Sequence, residues 1–327
     1  MHEQNQKENS AASPSYKPIA SDCVKAEARR LGFALCGMAP AEPVDARYVD
    51  AYRRWLDEGR QADMHYLENH FEKRMDPRLL VEGTRTVISL AFNYFPERVA
   101  DGIAWYAQGR DYHDLLRERM SQLMDAIGLH GRCFVDTAPV PERYWAWRCG
   151  LGWIGKHSQL VVPHVGSTFF LGELFVQEEM DAYDSPMSNH CGRCSKCIDA
   201  CPMGAITEPQ LLEGGVLGPE SHCFDSRRCL SYLTIENRGD IPAEAKAMMS
   251  DTFYGCDRCT KACPHLHGTP TAEPQFRPSQ ELLSMTPTDW QQLTPEQYQS
   301  LFKGSAVKRA KYDGLMRNIK SRFSSDG

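Results

Sequence analysis

The chain has 327 residues, with 37 Lys and Arg against 43 Asp and Glu, a formal charge of −6 and 42% hydrophobic residues. That length and polarity suit a folded protein of two or three domains and exclude a disordered scaffold or a polybasic tail protein. No stretch reaches the roughly 18 to 20 apolar residues that a membrane-spanning helix needs, so no membrane partner is expected.

In chain order, residues 1–19 are polar and read as a disordered tail. SDCVKAEARRLG then predicts a helix opened by Ser21 or Asp22, followed by a buried strand in FALCGMAP. Arg29-Arg30 before a short apolar run imitates a twin-arginine export signal. The helix-then-strand pattern explains the same residues better and implies a cytoplasmic protein with reduced thiols. VISLAFNYF (87–95), RCFVDTAP (132–139) and STFFLGELFVQEE (167–179) read as strands, and DYHDLLRERMSQLMDAIG (111–128) as a helix stopped by Gly128. The expectation for 20–180 is a mixed α/β or α+β core with helices over a sheet. From 181 to 270 the texture becomes Cys-, Gly- and Pro-rich, and 271–327 is helical in pattern. Within that last part, residues 303–322 carry seven Lys or Arg against one Asp.

Most of the 13 Cys fall in the middle module, where spacing decides their use. CGRCSKCIDACP places Cys191, Cys194, Cys197 and Cys201 before Pro202, the C-x2-C-x2-C-x3-C-P run of bacterial ferredoxins. CDRCTKACP supplies Cys256, Cys259 and Cys263 and lacks its first member. Two 4Fe–4S clusters therefore need one more thiolate, from Cys223 or Cys229. The apolar LSYLTI after Cys229 would anchor it, which favours Cys229 and leaves Cys223 spare. Crossed ligation, as in two-cluster ferredoxins, puts one cluster on Cys191, Cys194, Cys197 and Cys263 and the other on Cys201, Cys229, Cys256 and Cys259. Paired C-x2-C units also build zinc ribbons, but the two Cys-Pro endings favour cubanes. Cys23, Cys36, Cys133 and Cys149 have no partners at ligand spacing and read as buried apolar residues.

Clusters deliver single electrons, so the sheet part should hold a redox cofactor or face a partner. No G-x-G-x-x-G follows a strand, which leaves dinucleotide binding by that route unsupported. Asp136 sits at the end of an apolar strand, where a buried carboxyl could donate a proton. Asp136 and Thr137 could equally cap the following helix, and GLGWIGK could be a plain turn.

DTAPVPER, GLGWIGKHS, GSTFFLGEL, CGRCSKCIDACPMGAI, RRCLSYLTIENRG and YGCDRCTKACP, in this order over about residues 20–322, resemble epoxyqueuosine reductases. The resemblance implies a cobalamin- and iron–sulfur-dependent enzyme that removes the epoxide oxygen from epoxyqueuosine at the wobble position of tRNA with a G-U-N anticodon, the last step of queuosine synthesis. It also implies an external electron donor and a monomeric working unit. By motif, Asp136 resembles the family's proton donor, kept protonated by an apolar pocket. Ser231, Arg238 and the stretch Cys256, Asp257, Arg258 and Cys259 resemble cobalamin contacts, as do Arg53 and Asn93 more weakly. The basic 303–322 segment, joined by Lys156, His157, Arg227 and Arg228, is then expected to meet tRNA phosphates, whereas without the resemblance it reads as a solvated helix. Trp145, Trp147 and Trp153 could stack on a base or corrin, with core packing expected for at least two. Longer family members continue with helical repeats past this point, which implies docking through the core here. A reductive dehalogenase and a two-cluster electron carrier are the competing readings. The first would carry an export signal and no basic segment; the second would leave the sheet part without a task.

Overall fold

The computed structural model describes residues 17–208, 224–250 and 252–323. Most of the expected tail, residues 1–16, and the spare thiol Cys223 lie outside the described residues.

The predicted strands and helices of the first part form largely where the apolar patterning places them. Strands Leu35–Pro40 (β1), Thr86–Asn93 (β2), Gly131–Phe134 (β3) and Phe169–Val176 (β4) make one sheet in the order β1-β2-β4-β3. Every pairing is antiparallel, so the architecture is α+β. Helices Ser21–Arg30 (α1) and Tyr112–Ile127 (α3) cover one face, Ala46–Asp57 (α2) and Glu142–Arg148 (α4) the other. Ile88 and Leu90 of β2 point toward α1 and α3, Val87 and Ala91 toward α2 and α4. Burial on both faces is why β2 reads as a continuous apolar run rather than an alternating one.

α3 begins where the Asp111 carboxylate accepts the His113 N–H at 3.0 Å and ends at Gly128, whose φ of +78° is the left-handed closure glycine favours. α1 departs from expectation. Neither Ser21 nor Asp22 caps it with its side chain; instead the Ser21 N–H donates to the Asp181 carboxylate at 2.8 Å, across 160 residues of sequence. Arg29 and Arg30 are its exposed face, and Arg30 pairs with Glu27 at 2.6 Å. Of the four cysteines read as buried, only Cys149 is; Cys23 is exposed, and Cys36 and Cys133 are half-buried. Cys149 closes α4 against β1, an approach that needs Gly37, since a Cβ there would fall 2.0 Å from the Cys149 carbonyl.

The Cys-rich part has little regular structure beyond the helices Lys196–Asp199, Leu230–Ile235 (α5) and Arg258–Ala262. Its core is shared: Leu230, Leu233, Phe253 and Tyr254 pack with Trp290, Phe302, Leu315 and Ile319 of the C-terminal helices. Asn318 of helix Lys311–Phe323 (α6) is fully buried and donates to the carbonyls of Thr234 and Phe253, at 2.7 and 3.0 Å.

One residue of the sheet breaks the apolar rule. Glu173 of β4 is fully buried between Ser89 and Phe134 on the neighbouring strands. Ser89 Oγ donates to Oε1 at 3.1 Å, while Oε2 has no hydrogen-bond partner among the described residues. Burial raises its pKa far above the ordinary carboxyl value, with the Glu142 charge adding to the shift. The folded chain thus keeps a proton that the unfolded chain releases above about pH 4.3, and stability falls as pH rises through neutrality. Glu173→Gln should raise the thermal midpoint at pH 7 to 8, by an amount that shrinks toward pH 4; a destabilised variant at neutral pH would show that Glu173 is held ionised.

Candidate active site

The described thiols of the middle module fall into two groups. Cys197 feels the charges of Cys191, Cys263 and Cys194. Cys259 feels Cys229, Cys256 and Cys201, with Cys197 the link to the first group. Each group takes sulfurs from both sequence runs, in the crossed arrangement, and Cys229 belongs to the second. Amide hydrogens point at these sulfurs: Trp153 Nε1–H donates to Cys191 Sγ at 3.4 Å, Ala205 N–H to Cys201 Sγ at 3.2 Å, and the Tyr232 and Ser231 backbones to Cys229. Such donors stabilise cluster thiolates and tune their potential. Among the described residues no three His, Cys, Asp or Glu side chains gather closely enough to hold a single metal ion. A tetrahedral zinc, with its sulfurs at about 2.3 Å, draws four thiolates tighter than a cubane does. The donor set, spread in two quartets and bathed in N–H donors, fits 4Fe–4S clusters.

A cavity of about 890 Å³ lies between this module and the sheet. One wall holds Phe224, Ser226, Ile235, Glu236 and Tyr254, the last only two residues before Cys256. The opposite wall holds Tyr112, His113, Asp136, Glu142 and Arg143, and Lys308 and Arg309 stand at the C-terminal side. The predicted strand 132–139 stops early, at Phe134. Two residues on, Asp136 takes φ +55°, a left-handed conformation uncommon for a residue with a side chain and costing on the order of 1 kcal/mol. That turn swings its carboxylate out of the sheet and into the cavity.

Three neighbours hold it there. Tyr112 Oη donates to Asp136 Oδ2 at 2.9 Å, and His113 Nε2 stands 3.5 Å from the same oxygen. Behind it, the Asp136 N–H donates to Glu142 Oε1. His113 is fixed on its far side by Asp111, Nδ1 to Oδ1 2.6 Å. The Asp136 side chain is 62% exposed, but to an enclosed space. Burial on its own would raise the Asp136 pKa; the hydrogen bonds of His113 and Tyr112 and the charges of His113 and Arg143 outweigh it and hold the group below its ordinary value. Burial pulls His113 the other way, yet Asp111 and Asp136 lift it to about 9. The expected protonated Asp136 is therefore corrected. The cavity lining is mixed, but the groups that meet this carboxylate are polar, and at neutral pH the proton rests on His113 beside an Asp136 carboxylate.

None of the other predicted cofactor contacts, Arg53, Asn93, Ser231, Arg238 and Cys256 to Cys259, is among the residues that line this cavity. Arg238 donates to the carbonyls of Ile235, Ala310 and Arg309, at 3.2, 3.3 and 2.9 Å, and ties α5 to the C-terminal segment. Ser231 serves Cys229 through its backbone. Asn93 bridges Thr269 O at 2.8 Å and Phe95 N–H at 2.9 Å, and Arg53 lies over the Phe71 ring at 4.9 Å. Asp257 accepts the Trp105 N–H at 2.8 Å, and Arg258 donates to Met248 O at 2.9 Å. Lys156 and His157 are 5% and 3% exposed, so they are not part of a basic surface; Lys156 pairs with Glu208 at 3.1 Å. Trp145 and Trp153 are core residues, and Trp147 donates to Met187 O at 2.9 Å. In 303–322, Arg309 is held by Glu236 at 2.8 Å and Arg317 by the carbonyls of Leu233 and Asn237, leaving Lys303, Lys308, Lys311 and Lys320 on the surface. Tyr112, His113 and Glu142 were not foreseen. The one local sign was a Tyr-His pair opening an amphipathic helix directly after its Asp111 cap.

A sheet domain facing a double-quartet thiol module across a cavity is the architecture of an iron–sulfur oxidoreductase. The family model described as 4Fe-4S double cluster binding domain matches residues 190–265, and that described as Epoxyqueuosine reductase QueG, DUF1730 matches residues 74–137. The chain is 43% identical to an epoxyqueuosine reductase of Cellulophaga algicola, over 91% of this chain and 96% of that one. It is 36% identical to that of Escherichia coli, over 88% and 76%. A crystal structure of epoxyqueuosine reductase with an epoxyqueuosine-modified tRNA-Tyr stem loop superposes with a TM-score of 0.80 at 26% identity, covering 92% of this chain and 80% of the other. A second, from Bacillus subtilis with its aspartate catalytic loop swung out of the active site, gives 0.78 at 25%, covering 92% and 80%. The chain belongs to the epoxyqueuosine reductase family.

Because His113 is the largest favourable influence on the Asp136 carboxylate, His113→Asn should raise the Asp136 pKa. Carbon-13 NMR of aspartate-labelled protein reads this directly, and an Asp136 titration unmoved by the substitution would contradict the pairing.

Proposed function

We propose that this chain reduces epoxyqueuosine to queuosine at the wobble position of tRNA, in the cytoplasm, with single electrons drawn from an external donor through two 4Fe–4S clusters. The observation that carries the reading is the Asp136–Tyr112–His113 group, set in a strained turn, facing across one cavity the module that holds the thiol quartets. Losing the epoxide oxygen as water, with a double bond formed between the two carbons that carried it, takes two electrons and two protons. Electron supply and proton supply thus have to meet on the substrate, and the two cavity walls are placed to provide one each.

Cobalamin is the cofactor the family resemblance adds, and the open cavity of about 890 Å³ with mixed lining, whose wall residue Tyr254 lies two residues before Cys256, is the space where it would sit. When bound, it supplies the reduced cobalt that hands electrons to the strained ring. By the family resemblance Ser231, Arg238 and the Cys256 to Cys259 stretch would contact it from the cluster side, where the cavity wall itself is formed by Phe224, Ser226, Ile235, Glu236 and Tyr254. The chain's own residues do the rest. Tyr112 orients the Asp136 carboxylate, His113 gives it a proton, and Asp136 delivers that proton to the opening epoxide oxygen. Once the substrate fills the cavity and excludes water, the transfer from His113 becomes easier, because a separated charge pair is replaced by two neutral groups.

The solved relative bound to a tRNA stem loop supports RNA as the substrate carrier. A net charge of −6 does not oppose this, because the exposed Lys308 lines the cavity and Lys303 and Lys311, close to it in sequence, are exposed as well. Asp136→Asn should keep its iron and its affinity for a modified anticodon stem loop and lose turnover by roughly 100-fold or more, the usual worth of a positioned acid. Loss of epoxyqueuosine, followed by mass spectrometry of the digested stem loop, measures it; near wild-type turnover would remove Asp136 from the mechanism.

A further inference from the structure

The reading above gives one proton a source and leaves the other without one. Asp136 is bracketed: Tyr112 and His113 occupy one side of its carboxylate, and on the other its backbone N–H is bound by the carboxyl of Glu142 at the start of α4. Glu142 lines the same cavity. We propose that Glu142 supplies the second proton of each turnover, acting through Asp136 rather than on the substrate.

The groups that face Glu142 are Asp136, His113 and Tyr112 from the cavity side, its neighbour Arg143, and Glu173 from the sheet beneath. The Asp136 N–H, Arg143 and His113 favour its charged form; burial and the Asp136 carboxylate oppose them and win, pushing Glu142 up to about 8. Glu173, itself held neutral, adds no charge at this pH. With the Glu142 carboxyl seated on the Asp136 backbone N–H and opposed by the Asp136 charge, the two groups do not both ionise cheaply, and the pair keeps one proton at neutrality.

The step balances as follows. After Asp136 has passed the His113 proton to the opening epoxide oxygen, Asp136 is again a carboxylate and His113 is neutral. Glu142 Oε–H then gives its proton to Asp136, becoming a carboxylate, and Asp136 gives it to the same oxygen, which leaves as water. The two electrons come from the reductase's own donor chain, and solvent restores both protons between turnovers. The inference rests on the proposed reduction for its purpose, but the proton-sharing pair exists without substrate.

The test uses Glu142→Gln, which keeps an acceptor for the Asp136 N–H and removes the proton. Stem-loop turnover by the whole enzyme should fall about tenfold at pH 7, the lower part of the range for proton-transfer groups. Above pH 9 the ratio of wild type to variant should collapse toward one, because the wild-type Glu142 has then lost its proton too. A ratio that stays constant from pH 6 to 9 would mean a structural role and overturn the proposal. Infrared difference spectra without substrate give an independent reading: a protonated-carboxyl band should vanish as pH rises through 8, be missing in Glu142→Gln, and move to lower pH in Asp136→Asn. If no such band titrates, the inference fails while the role of Asp136 stands. If the band behaves as stated but no epoxide is reduced, the function is wrong and the carboxyl pair is right.

Discussion

The arrangement of eight thiols in two crossed quartets is the constraint on which the rest of the molecule depends. Each quartet draws sulfurs from two runs separated by some 60 residues of sequence, so neither run can settle alone. The helices Lys196–Asp199 and Arg258–Ala262 pack against each other, and the chain between the runs returns through α5 to bring Cys229 alongside. Buried thiols without metal are a poor design: burial drives Cys197 to about 12 and Cys229 to about 11. The N–H donors to Cys191, Cys201 and Cys229 suit sulfurs held as metal-bound thiolates.

From that constraint follows the position of the cavity. Tyr254, Ile235 and Glu236 are fixed by the second quartet and by the C-terminal helices that share its core, and they form a rigid wall. The facing wall is the edge of the sheet, where β3 ends and α3 begins. Neither wall is a site by itself. Asp136 gains its chemical character mainly from Tyr112 and His113, which reach it from a helix about 24 residues earlier in the chain, with Glu142 and Arg143 of α4 adding to them. Backbone strain at a single aspartate is tolerated because β3, α3 and α4 over-determine its place.

Much of this was readable from the sequence, and the exceptions have a common cause. The strands were legible because both sheet faces are covered, so burial is written as apolar runs. α3 was legible because its cap residue and its closing glycine are local. The double-cluster module was legible because metal spacing is a local signature; the preference for Cys229 over Cys223 rests on the apolar helix after Cys229, and Cys223 lies outside the described residues. What could not be read depends on long-range meetings. Asp181 caps α1 from the far end of the sheet domain, Lys156 and His157 are buried by a fold their own segment does not reveal, and Arg309 and Arg317 spend their charges on internal partners. The protonation of Asp136 was misjudged for the same reason: an apolar strand predicts an apolar pocket, whereas the neighbours that decide its pKa lie on α3 and α4.

The central claim is most directly tested by counting iron and acid-labile sulfide in protein purified without oxygen, beside a Cys229→Ser variant. The account predicts about eight iron atoms per chain, and about four in the variant, whose first quartet is complete without Cys229. An unchanged iron content in Cys229→Ser, or zinc in place of iron in the parent protein, would contradict it.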